Sequence, residues 1–208
     1  MRNSLYRVNV LMKKACVLLM TLSLIFLTVS CGSNTKKEDL SFEVVDNTIV
    51  IKGYNGSDPY LNIPDKIDGI KVVEIEENAF KDNSVIEKVK LPDTVTKLGD
   101  SCFSGCGSLK EVYISENVDV IPDSCFSYSS SIEKITAKGA KECGSFAFSG
   151  LDSLMTLEIS EELNEELSSN DYNAVSKKGR SCEIKINGKN VTVEETPTME
   201  GMYATPLF

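Results

Sequence analysis

Phe80, Phe103, Phe126 and Phe148 stand 23, 23 and 22 residues apart, and each follows a small residue: Ala79, Cys102, Cys125 and Ala147. The neighbouring columns agree. Five residues before each Phe come Ile75, Leu98, Ile121 and Cys143, and six after come Ile86, Leu109, Ile132 and Leu154. Nine after stand Val89, Val112, Ile135 and Leu157, and eleven after, Leu91, Ile114, Ala137 and Ile159. A unit of about 23 residues cannot bury its own apolar side, whereas a stack of such units can. The chain is therefore restricted to a repeat architecture.

Within a unit, Leu109-x-x-Val112-x-Ile114 ends in a period-2 alternation, which predicts a short half-buried strand. Gly105, Gly107, Pro92 and Pro122 mark the corners, and the Phe lies on the return path. Stacking brings the strands into a parallel sheet and the rings of Phe80, Phe103, Phe126 and Phe148 into a structural spine. The pattern Leu91-Pro92…Leu98…Cys102-Phe103…Leu109…Val112 resembles the BspA-type leucine-rich repeats of bacterial surface proteins, over roughly residues 61–159. The resemblance implies an α/β-type leucine-rich-repeat solenoid dominated by strands, with a short parallel sheet and irregular or short-helical return segments. It also implies a surface protein that contacts host proteins or neighbouring cells.

Two charged columns bear on how the units stack. Seven residues after each Phe stand Glu87, Lys110, Glu133 and Met155, and eight after, Lys88, Glu111, Lys134 and Thr156. Where both neighbours are charged the sign alternates, so adjacent strands meet opposite charges at a few tenths of a kcal/mol per exposed pair. Ten after each Phe stand Lys90, Tyr113, Thr136 and Glu158, which should point outward as a partner-binding face. Tyr113 is the exposed aromatic expected there, either as a recognition residue or as a cover for apolar atoms of its neighbours.

The ends differ from the repeats. Arg2, Arg7, Lys13 and Lys14 are the charged residues of 1–31; the 22 basic residues less these four leave 18 against 31 acids, net −13, in 32–208. Met12-Lys13-Lys14, the apolar run Ala15 to Val29 and the small residue Ser30 form a signal peptide over 1–30, complete even for translation starting at Met12. Leu27-Thr28-Val29-Ser30-Cys31 resembles a bacterial lipobox, with Thr28 departing from the usual Leu. That resemblance implies lipidation of Cys31 and a membrane anchor, with an uncleaved anchor or ordinary secretion as the alternatives. Polar residues 31–40 read as a tether, so the fold is expected to begin near Ser41.

Residues 41–64 suit an N-terminal cap, with a hairpin across Asp46-Asn47-Thr48. The repeats occupy 65–159. Residues 160–194 suit a C-terminal cap: Ser160-Glu161-Glu162 starts a short helix, and Cys182-x-Ile184-x-Ile186, Asn187-Gly188 and Val191-x-Val193 form a hairpin. Residues 195–208 carry no period and read as a flexible tail.

The chain contains no histidine, which removes Ser-His-Asp and Cys-His catalysis and His-ligated zinc. No Cys-x-x-Cys, calcium loop or Gly-rich phosphate loop occurs, so no metal site or cofactor is expected. The acidic balance disfavours nucleic acid. Cys102, Cys106, Cys125, Cys143 and Cys182 read as packing residues, although Cys102 and Cys125 fall one unit apart, within disulfide reach. The expectation is a non-enzymatic, lipid-anchored protein of the bacterial cell envelope whose repeats bind a protein or glycan. A structural or assembly component contacting its own cell's proteins is the alternative, and a hydrolase working through carboxylates alone is a distant third.

Overall fold

The computed structural model describes residues 34–169, 183–186 and 188–191. The stretch read as a signal peptide, together with Cys31, Cys182, Asn187, Val193 and residues 195–208, lies outside the described residues. An antiparallel hairpin opens the fold: β1 (Leu40–Val45) and β2 (Thr48–Tyr54) join through Asp46-Asn47. Both turn residues have positive φ, 48° and 60°, as a two-residue turn with the right twist requires. Next come β3 (Tyr60–Asn62) and a second hairpin of β4 (Lys66–Ile67) and β5 (Ile70–Ile75).

Each following unit supplies a front strand and a two-residue back strand. These are β6 (Lys88–Lys90) with β7 (Lys97–Leu98), β8 (Glu111–Tyr113) with β9 (Val120–Ile121), and β10 (Lys134–Ala137) with β11 (Glu142–Cys143). The chain continues through β12 (Thr156–Ile159), helix α1 (Glu161–Ser169), β13 (Glu183–Ile186) and β14 (Lys189–Val191). The front sheet has the order β14-β13-β12-β10-β8-β6-β3, parallel throughout except for β14. On the back, β2, β5 and β7 run parallel, and β9 pairs with β11. The result is a strand-dominated solenoid with very little helix.

The front sheet starts at β3, inside the stretch read as the N-terminal cap, and β13 extends it by a parallel strand before β14 turns back. The chain is also held earlier than Ser41. Thr35 donates its N–H to the Asn62 carbonyl at 2.8 Å and accepts the Asn62 N–H on its hydroxyl at 2.9 Å, so residues read as tether line the edge of β3. An uncovered edge strand would present unpaired backbone groups, and these bonds satisfy some of them. At the other end Ser160 Oγ accepts the Leu163 N–H at 2.9 Å and caps α1, which packs by β11 with Leu163 fully buried.

The repeat columns are the core. Val89, Val112, Ile135 and Leu157 are each 0% exposed and stand in register on β6, β8, β10 and β12. Opposite them the four Phe rings stack face to face, with centroid separations of 5.1, 5.7 and 6.0 Å and interplanar angles of 10–20°. Parallel backbone bonds tie the same rungs: Phe80 N–H to Cys102 O, Phe103 N–H to Cys125 O and Phe126 N–H to Ala147 O. Buried serines complete this ladder. Ser129 Oγ donates to Phe103 O at 2.7 Å and accepts the Cys106 N–H at 2.9 Å, so these backbone groups are not left unpaired in the core.

Each Phe is bracketed by left-handed backbone. Two residues before it lie Asn78, Ser101, Ser124 and Phe146, and two after it Asp82, Gly105, Tyr128 and Gly150, all at positive φ. A side chain in this region costs about 1–2 kcal/mol. Tyr128, at φ 61° and 74% exposed, bears that cost with little burial in return, in a column that holds glycine at two of its other three positions, Gly105 and Gly150. Tyr128→Gly is expected to stabilise the fold by about 0.5–1 kcal/mol, the strain relieved less glycine's extra unfolded-chain entropy. Urea unfolding would read this as a higher midpoint at unchanged slope, and a lower midpoint would refute it.

Candidate functional site

The outward side of the front sheet is a lattice of ion pairs set by strand register. Lys88 opposes Glu111 across β6 and β8, and their charged atoms lie 2.7 Å apart. Glu87 and Lys110, one residue earlier, meet at 2.9 Å. Lys134 departs from its own column. Glu111 already holds Lys88 and accepts the Tyr113 hydroxyl at 3.1 Å, and Lys134 instead pairs diagonally with Glu158 at 2.8 Å.

Of the four residues proposed from sequence for the binding face, Lys90 is exposed and Tyr113, Thr136 and Glu158 are half-buried. Register places Lys90, Tyr113, Thr136 and Glu158 side by side on adjacent strands. Tyr113 is not the exposed platform expected of it. The Lys88 and Lys134 ammonium groups lie 5.1 and 5.8 Å from its ring centroid, and its hydroxyl is tied to Glu111. These cation–π contacts hold the ring within the lattice. Glu158 is neutralised by Lys134 and, at 3.6 Å, by Lys138. Beside this row an open groove of about 510 Å³ is lined by Lys90, Asp93, Tyr113, Asn117, Thr136 and Lys138, among others. The sequence reading missed Asp93, Asn117 and Lys138, which lie in the corners after each strand. The relevant signal is weak: Asp93 and Asn117 are 24 residues apart, and Asn117 Nδ2 donates to the Asp93 carbonyl at 2.7 Å.

The lattice has a pH signature. The hydrogen bond and charge of Lys134, and after them the charge of Lys138, hold the Glu158 carboxyl below the usual range; Lys88 and then the Tyr113 hydroxyl do the same for Glu111. A depressed native pKa contributes stability that is fully present above the unfolded carboxylate value and is lost as pH falls through the native one. Melting temperature should therefore drop as the pH falls below about 5. Glu158→Gln, which has no carboxyl to protonate, should flatten part of that fall in a series of thermal melts, and an unchanged slope would count against the pair.

Three of the four cysteines among the described residues are fully buried. Cys102, Cys106 and Cys125 are each 0% exposed, and burial pushes the Cys106 thiol up to about 12, far from the value a nucleophile needs. Cys143 is partly buried and packs against the core.

Solved structures similar to this fold include two bacterial leucine-rich repeat proteins. A leucine-rich repeat protein from Bacteroides capillosus is 24% identical, with a TM-score of 0.53 over 62% of this chain and 99% of that one. A leucine-rich repeat protein from T. pallidum is 23% identical, with a TM-score of 0.51 over 61% of this chain and 71% of that one. Among curated proteins none matches the sequence. The model of the BspA type leucine rich repeat region matches residues 59–177 in six copies, a span that holds the parallel front strands β3, β6, β8, β10 and β12. Spacing, register and that match agree: the chain belongs to the BspA-type leucine-rich repeat family.

Proposed function

We propose that this chain is a lipid-anchored protein of the bacterial cell surface whose solenoid binds another macromolecule and catalyses no reaction. The observation that carries the reading is the front sheet, where six parallel strands present one regular face with an open groove beside Lys90, Tyr113 and Thr136. Repeat stacks offer extended faces of this kind to large partners. Most lysines on the face are paired within it, whereas Lys90 stands exposed at the groove and suits an acidic group of a protein or glycan. The family supports a surface location and protein interaction, and the Ser30-Cys31 junction supports a lipid anchor. A net charge of −13 beyond the signal opposes nucleic acid as the partner.

Two experiments test the proposal. In a bacterial host fed an alkyne fatty acid, the full chain should take up label and partition with membranes, and Cys31→Ser should do neither. Label retained by the variant overturns the anchor. For binding, the purified protein is offered to arrays of extracellular proteins and glycans, and in parallel captured from the native envelope. An extracellular partner at micromolar affinity supports adhesion, while recovery of the cell's own envelope proteins alone favours the assembly role. Tyr113→Ala should weaken the interaction about tenfold or more if the groove is the site.

A further inference from the structure

Cys102 and Cys125 occupy the column held elsewhere by Ala79 and Ala147, so the fold does not need a thiol at this position. They are on adjacent rungs, and their sulfurs lie 3.5 Å apart. The rungs are already drawn together there by the Phe103 N–H bond to Cys125 O at 2.9 Å and by the stacked rings of Phe103 and Phe126. Cys102 and Cys125 lie in turns rather than strands, but rungs joined by backbone hydrogen bonds have a strand-like spacing of about 4.8 Å, inside the Cα separation a disulfide spans. Cys106, the other buried thiol nearby, is turned away and donates to the Phe80 carbonyl at 3.0 Å.

We propose that Cys102 and Cys125 form a disulfide that staples two consecutive rungs when the chain folds in the presence of a disulfide oxidant. A thiolate of one cysteine attacks the oxidant's S–S bond, giving a mixed disulfide and releasing one thiol. The second cysteine attacks the mixed disulfide and releases the other. One S–S bond is exchanged for another, two electrons pass to the oxidant, and the two S–H protons end on its two thiols. Because both side chains are fully buried, the bond forms while the rungs are closing, and the finished fold shields the pair. The inference requires no particular cell compartment and stands or falls apart from the surface-binding proposal.

The test uses the full chain, reduced and unfolded in urea, then refolded with oxidised glutathione and, in parallel, with reduced glutathione. After remaining thiols are blocked, trypsin cutting after Lys97, Lys110 and Lys134 separates Cys102 from Cys125. The expected product is a cross-linked pair, 98–110 with 111–134, in the oxidised sample only, also in Cys106→Ser and absent in Cys102→Ala. Closing a loop of this length should raise the melting temperature by about 5–10 °C over the reduced form. Recovery of the fold under oxidised glutathione with Cys102 and Cys125 both free, or with Cys125 joined to Cys106, overturns the proposal. Cys102→Ala and Cys125→Ala should refold, as Ala79 and Ala147 do in their own rungs; failure of both would also overturn it, since the thiols would then be required for packing.

Discussion

Phe126→Ala is expected to lower the unfolding free energy by about 3–5 kcal/mol, the range for deleting a large buried aromatic. Phe126 is 0% exposed and stacks on both sides, against Phe103 and Phe148. Removing it opens a cavity between two rungs and breaks two stacks at once, each worth about 0.5–1.5 kcal/mol beyond area. Phe148 has only one such neighbour among the described residues, so Phe148→Ala should cost less than Phe126→Ala. Chemical denaturation of the two variants reads the difference directly. Equal losses would mean that the rings fill space independently, with no coupling along the spine.

Gly139→Ala is the second substitution expected to be severe. The turn after β10 runs so close to the previous unit that a Cβ at Gly139 would overlap the backbone carbonyl of Glu116. Backbone cannot rotate aside as a side chain can. The rungs would have to part locally, at a cost of about 3 kcal/mol, the upper end of the overpacking range. Gly107, whose Cβ would meet nothing within 4 Å, is the control. Gly107→Ala should stay within about 0.5 kcal/mol of the parent. Comparable losses at both positions, read by thermal or urea unfolding, would refute the close-approach explanation.

The repeat was legible because its columns are simple. An apolar residue recurring every 22 or 23 positions has to face the same way in every turn, and Val112 or Ile135 has one place to go. The hairpin at Asp46-Asn47 was legible for a related reason, since those residues tolerate the positive φ that the turn demands. The left-handed columns were hidden. Ser101, Ser124, Tyr128 and Phe146 occupy them without glycine's signature, because the closed rung imposes a conformation their own preferences oppose. The attachment of Thr35 to Asn62 was hidden as well, since a polar segment looks like a linker until an open strand edge lies beside it.

The candidate site divides the same way. Spacing alone placed Lys90, Tyr113, Thr136 and Glu158 in one outward row, because register in a parallel stack of equal units follows from the period. It also paired Glu87 with Lys110 and Lys88 with Glu111. It did not show that Lys134 would leave its column for Glu158, or that two ammonium groups would flank Tyr113. Those outcomes depend on which carboxylate remains free once its neighbours have chosen partners, a competition among long side chains that sequence spacing does not resolve. Period and polarity decided the fold and the direction of each column; only the closed stack decided which charges pair, where the backbone is strained, and how near Cys102 stands to Cys125.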